Sequence, residues 1–481
     1  MTGEILTIQV GQCGNHVGKQ FWEQITKEHG IGKDGKTIEN NTNNSESRIF
    51  REDDTNPFFK QYQEDRYIPR AIMLDLEPGV INDNLNTFPD FFDPASVWVS
   101  KERYGAGNSW ASGFEQGQKN QETFLNMVDK QLDSTDNFEG FQLLHSVAGG
   151  TGSGLGSHLL ETLSDRYQKK LLTTYSVFPS VNAEVVVQPY NTILTLRRLA
   201  EDSDASIVFD NTALGNLSEK VFQSKKTDYN ETNQLIASVL SSITNSVRFP
   251  SYLYTSLQGI FSTLIPTPEL HFLTPSFTPF TSDYVTGGRN YKRNTAYDVL
   301  LDLIDIPNSL VTKTSKKPVY FNVYSTIIGD IDRNDISRGI NKIQQRLQFA
   351  AWSPTTIHVN MGRRSNYLKN LPNHENQVNG MMLSNSSGIV PLLERACKSF
   401  DMIYSRKAFI NSFENSDTFN GEEFRESREV VQSLMEEYTA AEDKSYLDEV
   451  LLDDENVIGE YEDNDVVGNG NEIDAEGDNI M

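Results

Sequence analysis

The sequence predicts an α/β protein: an N-terminal doubly wound, mostly parallel sheet, a long linking helix, a second α/β unit and a C-terminal helical hairpin. Three observations carry this reading. Strand-like and helical segments alternate over roughly the first 210 residues, the pattern of parallel strands joined by crossovers. Glycine-rich turns at 11–18, 105–111 and 146–154 each lead into a helical segment. After Arg248-Phe249-Pro250 the composition turns aromatic and rich in Pro and Thr, which marks a new unit. The expected divisions are 1–226, 227–247 for the linking helix, 248–390, 391–441 for the hairpin and 442–481 for a disordered acidic tail.

Length and charge bound the function. A chain of 481 residues exceeds one typical core. A formal net charge of −25 argues against nucleic acid or an anionic membrane surface as partner, since both need a basic patch. Cys13 and Cys397, the two cysteines, are too few for a disulfide framework or a zinc site. No apolar run approaches the ~20 residues of a membrane span, and no signal peptide precedes Ile5, so a soluble cytosolic or nuclear protein is expected.

In chain order, Glu4 to Val10 alternates as a strand and runs into Gly11-Gln12-Cys13-Gly14-Asn15-His16-Val17-Gly18, then a helix from Lys19 to His29. This turn brings backbone amides and the Gln12 and Cys13 side chains toward a ligand, although many first turns of α/β domains look alike. Gly30 to Lys60, with its Asn-rich centre, reads as a long surface loop whose charged flanks bury nothing. Pro69 to Leu76 is a buried strand ending in Asp75-Leu76-Glu77-Pro78-Gly79. Two carboxylates at such a strand end suit a magnesium ion held through waters beside phosphates; the alternative is a turn with an incidental charge pair. Gly105-Ala106-Gly107-Asn108-Ser109-Trp110-Ala111 leads into a helix from Phe114 to Leu132.

The stretch around which the chain is organised is Ser146-Val147-Ala148-Gly149-Gly150-Thr151-Gly152-Ser153-Gly154, between a strand at Phe138 to His145 and a helix from Leu155 to Leu172. Small residues leave the backbone N–H groups open at the positive end of a helix dipole, which suits a phosphate. Thr151 and Ser153 offer hydroxyl donors besides. A flexible linker has similar composition, but linkers seldom sit between a strand and an amphipathic helix. No Lys-Ser or Lys-Thr follows, and the spacing fails Gly-x-Gly-x-x-Gly, so neither familiar phosphate loop applies.

A strand at Thr174 to Pro179, a loop at Asn182 to Tyr190 holding Glu184, a helix at Asn191 to Ala200 and a strand at Ala205 to Asn211 complete the first unit. The linking helix carries Leu235, Val239, Ile243 and Val247 on one stripe. Tyr229 at its start suits stacking on a base, and Asn211 and Asn233 supply amides that read donor and acceptor edges; a packing Tyr and two capping Asn are the alternative. In the second unit, 264–273 and 318–324 read as strands, and 291–305 and 335–347 as helices. Leu392 to Phe413 and Glu422 to Thr439 form the hairpin. The tail beyond Ala441 carries about fifteen carboxylates against Lys444. Tyr446 among those acids is a candidate docking or phosphorylation site.

With these parts in order, the chain resembles the tubulin/FtsZ superfamily over roughly residues 1 to 440, through Ala148-Gly149-Gly150-Thr151-Gly152-Ser153-Gly154 above all. Within it the chain is most similar to the gamma-tubulin branch, on Ala106-Gly107-Asn108-Ser109-Trp110-Ala111-Ser112-Gly113, Val186-Val187-Gln188-Pro189-Tyr190-Asn191 and Ile265-Pro266-Thr267-Pro268-Glu269-Leu270-His271-Phe272. Ser445-Tyr446-Leu447-Asp448 resembles the budding-yeast kind. The resemblance implies GTP or GDP as ligand, with Mg²⁺ near Asp75 and Glu77. It sets Gln12 and Cys13 near the phosphates and base. Asn108, Ala148, Gly149, Gly150, Thr151 and Gly152 would surround the phosphates, with Ser146 alongside. Glu184 would face the ribose, and Asn211, Tyr229 and Asn233 the guanine.

One departure bears on mechanism. Where alpha-type tubulins and FtsZ carry the acids that complete hydrolysis on a neighbour's nucleotide, this chain has Ser256 and Gly259, which cannot orient a water as a carboxylate does. At most a weak GTPase is therefore expected, needing a carboxylate from a stacked alpha-tubulin. The implied role is microtubule nucleation from the minus end within a complex at a microtubule-organising centre such as the spindle pole body. The implied partners are grip-motif gamma-tubulin complex proteins near residues 248–260, alpha/beta-tubulin and lateral copies of the chain. A self-polymerising GTPase filament subunit is the alternative.

Overall fold

The computed structural model describes residues 3–38, 53–63, 66–101, 104–181, 185–222, 229–249, 251, 253–279, 295–312, 317–365, 367–368, 378–414 and 419–447. In chain order the first unit contains β1 (Glu4–Val10), α1 (Gly11–His29), β2 (Phe59–Gln63), β3 (Arg66–Pro69), β4 (Ala71–Asp75), α2 (Pro78–Thr87), β5 (Val97–Val99), α3 (Trp110–Lys119), α4 (Gln121–Leu132), β6 (Phe138–Ser146), α5 (Gly156–Arg166), β7 (Leu171–Phe178), α6 (Gln188–Asp202), β8 (Ala205–Asp210) and α7 (Asn211–Phe222). Next come α8 (Tyr229–Ile243), α9 (Asn245–Arg248), α10 (Leu257–Leu264), β9 (Phe272–Thr278), α11 (Ala296–Leu303), β10 (Val319–Ile328), α12 (Arg333–Arg346), β11 (Gln348–Phe349), β12 (Thr356–Gly362) and β13 (Asn379–Ser386). Helices α13 (Val390–Tyr404), α14 (Asn411–Glu414) and α15 (Glu423–Ala440) follow.

Strands β5-β4-β1-β6-β7-β8 lie side by side in that order and all run parallel. The chain builds β1, β4 and β5 outward to one side, then returns to place β6 on the other flank of β1. The direction of winding thus reverses between β1 and β6, and open α/β sheets bind ligands outside the strand ends at such a point. The sheet is continuous across both α/β portions: β8 pairs in parallel with β9 through Ser206 and Ile207, and β9 pairs antiparallel with β13, which pairs antiparallel with β10. Strands β1, β4, β8, β9, β10 and β13 are buried on both faces between helical layers, polar residues such as Thr7 and Gln9 included.

Several expected elements differ, each for a local reason. The supposed strand at 264–273 is the last residue of α10 followed by irregular chain, because Pro266 and Pro268 lack the N–H a ladder needs; β9 begins at Phe272. The expected helix at 155–172 stops at Arg166, where Tyr167 (φ −120°, ψ 44°) leaves helical geometry and turns its hydroxyl to Asp129 at 2.7 Å. The expected 114–132 helix is two helices, divided at Asn120 (φ −112°, ψ 10°). The linking helix is continuous from Tyr229 to Ile243, and Thr244 separates it from the single turn α9. Helix α13 ends at Tyr404, since Lys407 and Phe409 take left-handed φ angles of 49° and 61°. Residues 291–294 of the expected 291–305 helix lie outside the described residues; α11 starts at Ala296 behind a Thr295/Asp298 capping box.

Two segments expected to bury nothing are packed. Phe58 and Phe59, at the end of the supposed 30–60 surface loop, are 0% and 1% exposed and lie edge-on to Trp22. Residues 39–52 of that loop are outside the described residues. Tyr446, placed in a disordered tail, is 3% exposed; its ring lies 4.9 Å from that of Trp352, and its hydroxyl donates to Glu437 Oε1 at 2.5 Å. The packed body therefore extends to Tyr446, beyond Ala441. The rest of the acidic segment, 448–481, lies outside the described residues.

Candidate nucleotide site

The register of the parallel strands brings Val10 beside Leu74, and Ser146 beside Val177, so the turns that follow these strands open at one edge of the sheet. Gly11 starts α1 directly from β1 with φ 71°, and a Cβ there would stand 2.8 Å from Gly152 N. Only glycine fits both the angle and the approach. The second contact of this kind is between Gly113 of α3 and the 146–154 turn, where a Cβ would lie 2.4 Å from Gly150 O. Three turns far apart in sequence thus meet backbone to backbone.

Asn191, completely buried in α6, fixes the turns against each other. Its Oδ1 accepts from Trp110 N at 3.0 Å, and its Nδ2 donates to Asn108 O at 2.8 Å and to Ala148 O at 3.0 Å. Asn15 does the same for the first turn, donating to Gly11 O at 2.9 Å and to Leu74 O at 3.2 Å. Reading the sequence missed the structural role of both. A single amide in an otherwise ordinary helix carries no local signal of partners 43 to 83 residues away.

Two of the helical segments that begin at this edge, α1 and the 151–166 stretch, are bare at their N-termini, whereas Asp210 accepts from Thr212 N at 3.0 Å at the start of α7 and α8 carries Glu231 in its first turn. Neither of these two has a side-chain cap or an acidic residue in its first turn, and the 151–166 stretch opens with one wide turn over Thr151–Leu155; α3 has no cap from Ser109, but its first N–H, that of Trp110, is taken by Asn191 Oδ1. Helices α10, α11 and α12, elsewhere in the fold, are capped by Ser256, Thr295 and Asp332. Uncapped N–H groups and positive dipole ends converging on one crevice make a receptor for an anion.

The structure places the expected residues as follows. Ser146 Oγ accepts from Ala148 N and Gly149 N, both at a long 3.3 Å, so these amides are held by a weak internal partner. A Cβ on Gly149 would meet nothing closer than that oxygen, at 3.7 Å, which leaves this side open to a ligand. Asn108 is exposed with φ 57°, Thr151 is half-buried, and Gly150 and Gly152 are packed into the turn contacts. Ser153 is a correction: it is 0% exposed and its hydroxyl donates back to Gly149 O, so it is no ligand donor.

Gln12 is exposed on the rim, and Cys13 is half-buried against the core with its thiol pushed up to about 12 by burial. Helix α8 lies along α1 in the same sense, with Ser241 near its end donating to Glu28 near the end of α1 at 2.6 Å. The α8 N-terminus therefore opens at the same edge, with Tyr229 60% exposed and Asn233 8% exposed. Asn211, half-buried, starts α7 from the end of β8. Glu184 lies outside the described residues.

Asp75 ends β4 as a buried carboxylate. Burial pushes it up to about 6, against the opposing effect of the Glu77 and Leu76 amides that donate to it. Glu77 is exposed, with its carboxylate over Gly105 of the second turn. The described residues contain no group of three or more His, Cys, Asp or Glu that forms a protein-only metal cage. A pair of acids beside an anion site is the donor set for an ion that keeps most of its waters, so the residues fit magnesium.

At the other end of β6 stands the 251–259 segment. Arg248, expected in a gripped surface, is instead fully buried, paired with Glu28 at 2.6 Å, while Leu253 is 60% exposed. Ser256 Oγ accepts from Gly259 N at 3.1 Å, so the two residues standing where acids were sought form a helix cap. Glu139 at the start of β6 accepts from Gln258 N at 2.8 Å, and Ser146 ends the same strand. At about 3.3 Å per residue the two faces stand roughly 20 Å apart, on opposite ends of the sheet.

Strand order, a switch-point crevice and backbone-packed glycine turns define a nucleotide-binding α/β protein. The tubulin/FtsZ family GTPase domain matches residues 4–219, and the tubulin C-terminal domain matches residues 268–398. The chain is 60% identical over 464 residues to the tubulin gamma chain of Candida glabrata, covering 96% of this chain and 99% of that one. It is 57% identical over 486 residues to the tubulin gamma chain of Saccharomyces cerevisiae, covering 100% of both. The tubulin gamma chain of Eremothecium gossypii is 57% identical over 461 residues, 95% of this chain and 97% of the relative. The chain belongs to the tubulin/FtsZ family, in its gamma-tubulin branch. The matched GTPase domain implies that the chain binds guanine nucleotide. No helix among the described residues is long and apolar enough to cross a membrane.

Proposed function

We propose that the protein nucleates microtubules from their minus ends, as part of a complex with grip-motif gamma-tubulin complex proteins at the spindle pole body. The nucleotide edge receives alpha/beta-tubulin, the opposite face around 251–259 receives the accessory proteins, and copies of the chain stand side by side. The relatives' name, tubulin gamma chain, supports this reading. The observation that carries it is the Ser256 cap on Gly259: the face that would meet a second copy's nucleotide offers a hydroxyl and a glycine where hydrolysis needs a carboxylate.

In the crevice, Asn108, Ser146 and the amides of Ala148, Gly149, Gly150, Thr151 and Gly152 hold the phosphates, with Gln12 and Cys13 beside them. Glu184 meets the ribose, and Asn211, Tyr229 and Asn233 hold the base. Asp75 and Glu77 would hold magnesium, which would neutralise phosphate charge. The chain alone therefore binds guanine nucleotide and turns it over slowly.

Incubation of the purified chain with GTP tests this against a self-polymerising GTPase. Slow turnover that is independent of protein concentration, without long homofilaments, is expected. Concentration-dependent turnover with homofilaments would establish the filament subunit instead.

A further inference from the structure

A row of buried polar side chains crosses the sheet from the 146–154 turn, and the site described above makes no use of it. His145 Nδ1 lies 3.1 Å from Gly152 O, and its Nε2 lies 2.8 Å from Ser176 Oγ. Ser176 Oγ is 3.3 Å from Thr174 Oγ1, which is 2.8 Å from Ser206 Oγ. Ser206 Oγ is 2.9 Å from Ser203 Oγ, which donates to Leu199 O at 2.6 Å. All of these side chains are buried.

Protons can be counted along this row because both ends are carbonyl oxygens, which only accept. Its six contacts require six protons. Four hydroxyls bring one each, and a neutral imidazole brings one more. Burial pushes the His145 ring down to about 4, so it is neutral near pH 7 and one contact holds no proton. From the far end, Ser203 gives its proton to Leu199 O, so Ser206 must give to Ser203 and Thr174 to Ser206. From the near end, Nδ1–H must go to Gly152 O, so Ser176 must give to Nε2. The contact left over is Ser176 to Thr174: its geometry also lets Ser176 donate there, but at 3.3 Å it is the longest and weakest of the row, so Ser176 gives its single proton to Nε2 at 2.8 Å.

We propose that His145 is a positioning residue of the phosphate turn, fixed by Ser176 as the Nδ1–H tautomer and acting on the nucleotide through the Gly152 carbonyl. The proposal rests on the guanine-nucleotide reading of the crevice. The Gly152 carbonyl closes the run of amides at 148–152, so holding its oxygen fixes the orientation of the planar peptide on which that run ends. Gly152 is also the residue against which Gly11 is packed, so the same bond steadies the contact between two turns.

Two measurements on the full chain test this. The ¹⁵N spectrum of the imidazoles in the unmutated protein, with His145 assigned by difference against His145→Asn, is expected to show a neutral ring protonated on Nδ1 at pH 7. A ring protonated on Nε2, or a cation, overturns the proposal, and this arm does not depend on a variant's binding. The second arm is the release rate of a fluorescent GDP analogue. His145→Gln, whose amide donor reaches the Nε2 position, is expected to release it about tenfold faster than the unmutated protein. His145→Asn, whose donor stands at the Nδ1 position, is expected to recover most of that loss. Equal rates for the two variants overturn the role of His145 alone, whereas an unmutated chain that holds no guanine nucleotide overturns the reading of the crevice.

Discussion

Asn191 holds two glycine turns at once, and its two side-chain atoms are not interchangeable. Asn191→Ala removes three buried hydrogen bonds and leaves their partners unpaired, which should cost about 3 kcal/mol in urea unfolding. Asn191→Asp should cost at least as much, because a carboxylate oxygen would face the carbonyls of Asn108 and Ala148. Asp75 makes a prediction in pH. Its carboxyl titrates at about 6 in the folded protein, against about 4 unfolded. Between those values the native state binds the extra proton, so stability of the nucleotide-free protein falls as pH rises through the window, and the penalty persists above it. A cation bound at Asp75 would relieve that penalty and compete with the proton. The magnesium-dependent part of nucleotide affinity should therefore drop up to about tenfold per pH unit below about 6. Asp75→Asn should abolish that part without lowering the melting temperature of the nucleotide-free protein at pH 7.5. Both effects are read by nucleotide titration with and without magnesium.

The turns could be recognised from sequence because a strand, a glycine run and an amphipathic helix are adjacent in the chain. What each glycine is for could not be read, since that depends on a partner turn. Gly107 and Gly113 separate the two cases. Gly107 has φ 56°, and a Cβ there would meet nothing within 4 Å, so Gly107→Ala costs only backbone strain, about 1–2 kcal/mol. A Cβ on Gly113 meets the Gly150 carbonyl, which is backbone and cannot swing aside, so Gly113→Ala should cost about 3 kcal/mol and also weaken nucleotide binding. Urea unfolding and nucleotide titration of the two variants check the order. The misread elements follow the same logic. The apolar residues of 264–273 suggested a strand, but its two prolines decide the backbone. The helical spacing around Asn120 concealed a break set by one residue's conformation.

At the scale of the whole molecule, the order of strands decides what the chain is for. Placing β6 beside β1 puts the bare starts of α1 and the 151–166 stretch on one edge and the Ser256 cap on the other, so one chain presents two unlike faces. The alternation of strands and helices foretold the class of fold, but it did not foretell that β8 and β9 join both portions in one sheet. Nor did it show that Phe58 and Tyr446, lodged in polar stretches, are core residues. Composition averages over such single anchors, and only long-range packing reveals them. All of this turns on whether the crevice at the switch point holds its ligand by main-chain amides. The most direct measurement is the identity and amount of nucleotide released when the purified full chain is denatured. About one GTP or GDP per chain is expected. A chain that releases none, or releases an adenine nucleotide in its place, would contradict the account.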